Sequence, residues 1–447
     1  MGSMIFVGIA LHALGGIAAA SCYISQKGAS KWSFQSYWVI VSLTAWFLMP
    51  LIVSAITVPE LMLVLQETPR DMALKVFLLG AAYGFGGMAF GVAIRHIGFS
   101  LTYAIAIGIS AVFGTVVPAV LGGTLVSQFQ KPGGLVVLSG FILSIAGVAV
   151  CGRAGFMKEG ELNSGTETKK STFNMKKGLW LVVLAGVLSG VFGVGVAAGA
   201  DIDVIAAAHK ARQGFAGYPK YIFLTGGTLL TNLIWWGVVC VRKRTLGEFI
   251  KHENGFGRLV FYYLMGIIGG VLWFTQFIFY EQGHARMGEF KFISWGIHMA
   301  MLVFFSFGVG LIFREWHNCK RRTHGVLALG MLVLVTSFGL ITYGSWVGEN
   351  AGAADAPTEG RIRSTDWRCG STDMLARARR LGARTAPSAG PNGGLRNKNL
   401  FRAAHRTLSL SRTRPSAPPA ERRQNTRPCF SVYPRPVSET GIRPRPK

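Results

Sequence analysis

The sequence predicts an all-α integral membrane protein with ten transmembrane helices in two five-helix repeats, followed by a disordered C-terminal tail. Half of its 447 residues are hydrophobic and only 15% are charged, whereas soluble domains carry about 25% charged residues. The apolar residues collect in long runs, and one polar connector divides these runs into two equal groups. The same composition excludes a chain that is disordered throughout, a collagen and a coiled coil.

Ten apolar segments are long enough to cross a membrane, because about 30 Å of hydrocarbon requires roughly 20 helical residues. The predicted spans are Met4–Ile24, Tyr37–Val58, Leu74–Ile94, Phe99–Gly122, Gly134–Cys151, Gly178–Ala200, Tyr218–Val241, Leu259–Glu281, Phe292–Phe313 and Thr323–Trp346. Charged, proline and aromatic residues gather between the spans, for example Trp32 and Arg70, as is typical of membrane interfaces.

The longest connector between spans, Gly152 to Lys177, leaves five predicted spans on either side. We therefore predict a first five-helix half in residues 1–151, a central polar loop in 152–177, a second five-helix half in 178–349 and a tail in 350–447. Such halves often have opposite orientations in secondary transporters and enclose a substrate site near the membrane midplane.

The orientation follows from the charges in the connectors. Connectors after odd-numbered spans hold most of the Lys and Arg, including the clusters 242–244 and 320–322. The positive-inside bias places these connectors in the cytoplasm and both termini outside. No positive residue precedes the first apolar stretch, so we expect it to remain as a span and not to be cleaved as a signal peptide.

The segment after Asn350 has a different composition, dominated by Pro, Arg, Ser and Ala. Residues 351–447 contain 20 basic and 6 acidic residues, more than half of the chain's net charge of +26. Too little apolar surface is present to offset the entropy of ordering, so we predict disorder without a dedicated role. The alternative is a basic arm on anionic lipid or nucleic acid. Because the charge is confined to the tail, the overall pI does not indicate a nucleic-acid partner.

The sequence lacks the residue motifs that several kinds of functional site require. The six cysteines form no Cys-x-x-Cys pair, which argues against a disulfide scaffold or a zinc site. The glycine runs at 84–87 and 193–195 follow no predicted strand and precede no Gly-Lys-Ser/Thr, which argues against a nucleotide site. Nucleophile elbows and kinase signatures are also missing from the sequence. We therefore predict no catalytic residue, no metal and no cofactor.

Polar residues at membrane depth are costly and need a partner, a cavity or a proton-carrying role. His12 lies midway along the first span. It is either a cavity-lining donor or proton carrier, or a neutral histidine bonded between close helices. In the seventh span, Asn232 also needs a partner, and we expect it either to cap a neighbouring helix or to contact a substrate.

The eighth span carries a mixed polar and aromatic stripe that contains Trp273 and Gln276, preceded on the same face by glycines. Sugars suit this mixture, because their C–H faces pack on aromatic rings and their hydroxyls pair with amides. Helix packing is the alternative explanation, and Tyr280 and Glu281 are as consistent with a membrane interface as with a site.

The ninth span places Ser294 and His298 on one face, with the histidine about two turns inside. A histidine there can change its charge between pH 5 and 8, as proton coupling requires. It is otherwise a static donor to the substrate, or part of an interhelical hydrogen bond.

These residues together resemble a known family. The motifs are Gly269–Trp273, Gln276-Phe277, Phe279-Tyr280, Gly283–Arg286, Ile293–Trp295, His298-Met299 and Glu315-Trp316, with His12, Gly15, Cys22-Tyr23, Lys31–Ser33, Trp46, Pro50, Arg95 and Gly98 in the first half. The set resembles the L-rhamnose/proton symporter family of the drug/metabolite transporter superfamily, over about residues 4–348. The resemblance implies a ten-helix carrier of the inner (plasma) membrane that imports a deoxy-hexose with a proton.

Two segments depart from the family pattern. Gly87 and Met88, with Phe90 nearby, stand where rhamnose carriers have asparagines, and 199–203 (Gly-Ala-Asp-Ile-Asp) replaces Asn-Ala-Ala-Lys-Pro. A buried sugar hydroxyl without its partner costs about 1–3 kcal/mol. The sequence therefore leaves the sugar open between L-rhamnose and a related deoxy-hexose.

We predict a proton-coupled symporter that works by alternating access, with sugar, proton and the lipid bilayer as its partners and no enzymatic activity. Its substrate pocket is predicted to contain His12, Trp273, Gln276, Ser294 and His298. His298 is the first candidate for the coupled proton, and His12 is the second. The alternatives are an exporter or exchanger of another small metabolite on the same fold, and a non-transporting membrane sensor.

Overall fold

The computed structural model describes residues 3–97, 99–163, 175–251 and 255–354, and these residues are helical with short connections. Within these ranges, ten helical segments are long and apolar enough to cross a membrane, which confirms the predicted all-α architecture. We name them spans 1 to 10. The predicted tail beyond residue 354 and residues 164–174 of the predicted central loop lie outside the described residues.

The helix bounds follow the predicted spans, with extensions beyond the apolar runs. They are Ser3–Ser21 with Ile24–Gly28 (span 1), Phe34–Leu43, Thr44–Leu48 and Met49–Thr57 (span 2), Arg70–Ile97 (span 3), Phe99–Leu121 (span 4), Gly134–Asn163 (span 5), Met175–Ala198 with Ala200–Ala208 (span 6), Pro219–Arg242 (span 7), Phe256–His284 (span 8), Gly288–Ile293 with Ser294–Ile312 (span 9) and Arg321–Ala354 (span 10). Short helices Leu61–Glu67, Leu125–Gln130 and Leu246–Phe249 lie in connectors. Residues 152–163 of the predicted loop therefore continue the fifth span as helix.

Local sequence signals account for several helix features. The Ser33 side chain accepts a hydrogen bond from the Ser36 N–H and caps the start of span 2, as serine commonly does. Pro50 lacks the N–H that would bond to the carbonyl of Trp46. The Thr225 hydroxyl of span 7 lies 2.9 Å from that carbonyl and 2.6 Å from the Tyr221 carbonyl of its own helix, so the two oxygens share its proton. Span 2 is therefore joined to span 7 where its own hydrogen-bond ladder is interrupted.

Several hydrogen bonds join the connector or helix end that follows one span to the connector or helix end that follows another span of the same parity. His209, after span 6, bonds to Glu60 and Glu67 after span 2. After odd-numbered spans, Ser33 donates its backbone N–H to Glu248, and Lys320 likewise donates to Glu161. Connectors after even-numbered spans thus share one end of the bundle, the even end, and the others share the odd end. This is the arrangement expected when all ten helices cross one membrane.

The helix contacts repeat with an offset of five spans. Span 6 packs on spans 3 and 4, as span 1 packs on spans 8 and 9, and the pair of spans 3 and 7 corresponds to the pair of spans 8 and 2. Spans 2 and 7, 4 and 9, and 5 and 10 pair with their own counterparts. Because five spans separate corresponding helices, these helices cross in opposite directions. The contacts are those of inverted repeats; the exact boundaries of the halves remain a prediction.

Spans 3 and 7 meet through two glycines. A Cβ built on Gly80 would overlap the Leu224 carbonyl oxygen, and one built on Gly227 would overlap the carbonyl oxygen of Phe77. Small residues let membrane helices approach to backbone contact in this way. This close crossing fixes the orientation of spans 3 and 7 relative to each other within the bundle.

We predict that Gly80→Ala destabilises the protein by about 1–3 kcal/mol, because the added methyl forces the two backbones apart. Gly87→Ala is the matched control on the same helix, since a Cβ there meets no atom within 4 Å. Thermal unfolding in detergent measures both variants. Equal midpoints for the two would contradict the crossing.

An ion-pair cluster joins two connectors at the even end. His209 Nε2 lies 2.9 Å from Glu67 and Nδ1 lies 3.1 Å from Glu60, and Lys210 also pairs with Glu60. The hydrogen bond to Glu67, followed by that to Glu60, raises the pKa of His209 above its ordinary value of 6.5. The folded protein therefore binds the His209 proton more tightly than the unfolded chain does.

This raised pKa predicts a pH-dependent contribution to stability. The contribution is complete below the unfolded pKa of about 6.5 and is lost as pH rises through the higher folded pKa. His209→Ala should lower the unfolding temperature most at about pH 5.5 and least at about pH 9. The control is His317→Ala at the exposed odd end. A loss for His209→Ala that is the same at both pH values would show that the pairing does not depend on protonation.

Candidate functional site

A cavity of about 90 Å³ lies in the centre of the bundle. Residues from spans 1, 3, 4, 6, 8 and 9 line it: Ala19, Cys22, Tyr23, Tyr83, Tyr103, Ile107, Ser189, Phe192, Trp273, Gln276, Phe277, Trp295, Met299 and Leu302. A water needs roughly 10–15 Å³ of such space, so the cavity has room for several waters. Because both halves contribute to its wall, the cavity lies between the predicted repeats.

Two of the predicted pocket residues line this cavity. Trp273 is packed edge-on against Trp46, with ring centroids 5.4 Å apart. Gln276 donates one amide N–H to the Trp273 carbonyl at 2.7 Å, which fixes the amide within span 8. Trp273 and Gln276 therefore place an indole ring and an amide next to each other in the cavity wall. The polar and aromatic stripe on span 8 predicts this combination.

Several cavity residues escaped the sequence reasoning. Tyr23, Tyr83 and Tyr103 come from three different spans and bring their phenol groups to one wall. The Tyr103 hydroxyl hydrogen-bonds with that of Ser306, at 2.9 Å. Each tyrosine stands alone in its apolar run, so no spacing within a single helix indicates the set. Of the three, only Tyr83 lies near the middle of its predicted span, where a search for buried hydroxyl groups would have found it.

Trp295 closes another part of the cavity wall and is held firmly. Its indole N–H donates to the Ser110 carbonyl at 3.0 Å. Its ring fills the space where Cβ atoms on Gly114 and Gly193 would lie. Phe192 stacks on it with ring centroids 6.1 Å apart. The glycine run at 193–195 thus makes room for an aromatic wall and not for a phosphate.

The two predicted histidines form a separate cluster with Tyr280. The His12 ring lies 5.5 Å from Tyr280 and 5.8 Å from His298, and His298 lies 5.3 Å from Tyr280, measured between ring centroids. Glycines make the space: Gly15 faces the His298 ring, and Gly283 faces His12. Tyr280 lies one turn closer to the even end than Gln276, so the cluster borders the cavity on that side.

Polar atoms of the two histidines and of Ser294 lack hydrogen-bond partners among the described residues. His12, Ser294 and His298 are fully buried. Both ring nitrogens of each histidine and the Ser294 hydroxyl have no hydrogen bond. The His298 ring faces the backbone of His12 without reaching hydrogen-bond geometry. Buried polar atoms are nearly always hydrogen-bonded, so a concentration of exceptions indicates a site for water, a proton or a ligand.

Tyr280 connects this cluster to its surroundings. His284 stacks on one side of it, with ring centroids 5.8 Å apart, and Trp295 packs against it edge-on at 5.8 Å. Because Trp295 lines the cavity and His284 ends span 8, ring contacts extend from the even end to the cavity wall. Tyr280 therefore belongs to the interior of the bundle and not to an interfacial belt.

A buried ion cluster lies beside the histidines at the even end. Lys220 Nζ lies 2.8 Å from an Asp203 oxygen and 3.1 Å from a Glu281 oxygen. The Tyr221 hydroxyl donates to Glu281 at 2.7 Å. The sequence reasoning overlooked Lys220, because a lysine after the proline that begins a span resembles an interfacial charge. Only 3% of its side chain is exposed.

The donor sets do not point to a metal. Within the described ranges, no group of three His, Cys, Asp or Glu side chains could hold a metal ion. The four described cysteines, Cys22, Cys151, Cys240 and Cys319, are free thiols.

The fold and the site define a class: a multi-pass helical membrane protein with a polar and aromatic cavity at the centre of inverted repeats. The chain belongs to the L-rhamnose-proton symport protein (RhaT) family, whose model matches residues 1–346. It is 30% identical over 345 residues to an L-rhamnose-proton symporter of Escherichia coli O1:K1, and 32% identical over 347 residues to one of Cronobacter sakazakii. Each match covers 77% of this chain and 99% of the relative. The resemblance seen in the motifs is thereby confirmed.

Proposed function

We propose that this protein is a proton-coupled symporter that imports L-rhamnose or a related deoxy-hexose by alternating access. Membership of the symporter family and the names of its relatives support this function. The observation that carries it is the central cavity, which combines aromatic faces with hydroxyl and amide groups. The role is transport and not catalysis, in the inner (plasma) membrane, and no nucleic-acid partner is involved.

The cavity wall suits a deoxy-sugar. Trp273 and Trp295 provide faces for the C–H groups of the ring, and Gln276 supplies an amide for its hydroxyls. Met299 and Leu302 form an apolar part of the wall, against which a methyl group loses no hydrogen bond. The family asparagines replaced at 87 and 88 do not weaken this set, because neither position lines the cavity.

His298 is our first candidate for the coupled proton, and His12 is the second. Both rings have unpartnered nitrogens and lie against Tyr280. Tyr280 in turn packs against Trp295, which lines the cavity. Ser294, one helical turn from His298, completes the proposed set with its unpartnered hydroxyl. Coupling requires that proton and sugar each favour binding of the other, typically by 1–3 kcal/mol.

We propose that the odd end faces the cytoplasm, in agreement with the positive charge of its connectors. Glu315 pairs there with Lys27 at the end of span 1 and with Lys158 in span 5, at 2.7 and 3.5 Å. These pairs join the two halves on the odd side of the cavity. Their separation and re-formation would accompany release of the sugar.

Sugar binding should protect Cys22 from alkylation, because its thiol lines the cavity. In a variant whose only cysteine is Cys22, L-rhamnose is expected to slow the reaction with N-ethylmaleimide several-fold, whereas glycerol at the same concentration has no effect. A variant that retains only the buried Cys240 outside the cavity is the matched control. Unchanged labelling of Cys22 over a saturating range of deoxy-sugars would exclude sugar binding in this cavity.

His298→Ala should abolish accumulation of sugar in proteoliposomes under an imposed pH gradient, while exchange of sugar between the two sides continues. One coupled proton supports about tenfold accumulation for each pH unit, and the variant is expected to reach a ratio of about one. His317→Ala, at the exposed odd end, should behave as the unmodified protein. Gradient-driven accumulation by His298→Ala would show that another group carries the proton.

A further inference from the structure

The ion cluster at the even end contains more acids than bases. Asp203 and Glu281 share one ammonium group, that of Lys220. The exposed fractions of the Lys220 and Glu281 side chains are only 3% and 6%. With all three groups ionised, one negative charge would be left over in a shielded place. An uncompensated buried charge is strongly unfavourable.

Neighbouring charged groups do not supply the missing positive charge. Among the described ion pairs, Arg286 is paired with neither Asp203 nor Glu281, and its guanidinium donates instead to the carbonyl and side-chain oxygen of Gln282. Lys210 and His209 pair with the glutamates of the connector after span 2. His284 lies within electrostatic range of Glu281 and Lys220, but it stacks on Tyr280 and not on the cluster.

The other titratable groups that face the cluster add no cation either. They are Asp201 on span 6, Tyr218 and Tyr221 on span 7, and Tyr280 on span 8. Asp201 increases the acidic excess, and the phenols are neutral at physiological pH. A proton is therefore the simplest species that balances the cluster.

One carboxyl oxygen is free to take that proton. Asp203 Oδ1 is buried and has no hydrogen-bond partner among the described residues, whereas Oδ2 accepts from Lys220. The Asp203 side chain is 25% exposed, so it is the carboxyl group closer to water. Glu281 lies deeper and is already bonded to Lys220 and Tyr221. Asp203 is thus placed to receive a proton from the even end.

The cluster is also connected to the cavity. The ring of Tyr221, which donates to Glu281, lies 5.2 Å from Phe277 and 6.4 Å from Phe192. Both phenylalanines line the cavity. A change in the charge shared with Glu281 therefore acts on groups that touch the cavity wall.

The corresponding contact at the odd end joins two neutral side chains. There the end of span 1 meets the start of span 2 through a hydrogen bond of 2.8 Å between the hydroxyls of Ser25 and Tyr37. At the even end, the end of span 6 meets the start of span 7 through Asp203 and Lys220. At this described contact the inverted repeats thus differ in charge: the pair at the even end is ionised, and the pair at the odd end is not.

We propose that Asp203, Lys220 and Glu281 form a site that takes up one exchangeable proton from water at the even end. In this step a carboxylate of the cluster becomes a carboxylic acid, and the cluster changes from a net charge of −1 to neutral. When the even end closes, it then shields a neutral cluster from water. Loss of the proton makes the cluster negative again and favours an open even end, in which the cluster is in contact with water. The role in transport rests on the proposed function, but the binding of the proton does not.

Infrared difference spectroscopy of the full-length protein in detergent, between about pH 5.5 and 8.5 and without sugar, tests the proposal. The unmodified protein should show the carbonyl stretch of a protonated carboxyl group at low pH. Asp203→Asn and Glu281→Gln should each lose that band, because one remaining acid and Lys220 form a balanced ion pair. Glu289→Gln, at an exposed even-end position, should keep it.

The conservative variants Asp203→Glu and Glu281→Asp separate proton binding from folding, since each preserves the excess acid and should retain the band. A band of unchanged size in both neutralised variants, or its absence from the unmodified protein, would overturn the proposal. Sugar uptake is measured separately in proteoliposomes. If the neutralised variants lose the band but the unmodified protein moves no sugar, the transport function is refuted and the proton site remains supported.

Discussion

The absence of hydrogen-bonding partners in lipid is the constraint on which this structure depends. Helices satisfy their backbone groups internally, so ten of them can cross the membrane. Polar side chains at the same depth must turn toward one another or toward a cavity. The amide of Gln276, the imidazoles of His12 and His298 and the ammonium of Lys220 all do so, and none faces the lipid side of the bundle.

Glycine makes these polar interiors possible. The rings of His12, Trp295 and His298 occupy space that a Cβ on a neighbouring helix would fill. Glycines thus have two roles in this bundle. They allow backbones to approach closely, as at Gly80 and Gly227, and they leave space for large rings between close helices.

The interior is divided into three parts with different chemistry. The cavity offers aromatic faces, hydroxyls and an amide; the histidine cluster offers unpartnered ring nitrogens; and the ion cluster holds an excess of acid. Tyr280 and Tyr221 connect the second and third parts to the first. In the proposed transporter, sugar recognition and proton handling would thus be carried by separate but touching groups, an arrangement in which each can influence the other.

The sequence by itself determined the ten spans, the family, and the placing of Trp273 and Gln276 on one face of span 8. These features are visible because hydropathy and helical spacing act within one segment of chain. The tertiary structure alone decided that Tyr23, Tyr83 and Tyr103 share a wall, that the predicted histidines border the cavity without lining it, and that Lys220 joins Asp203 and Glu281. Such groups lie on different helices, and their meeting depends on how the helices pack, which no periodicity within a single span encodes.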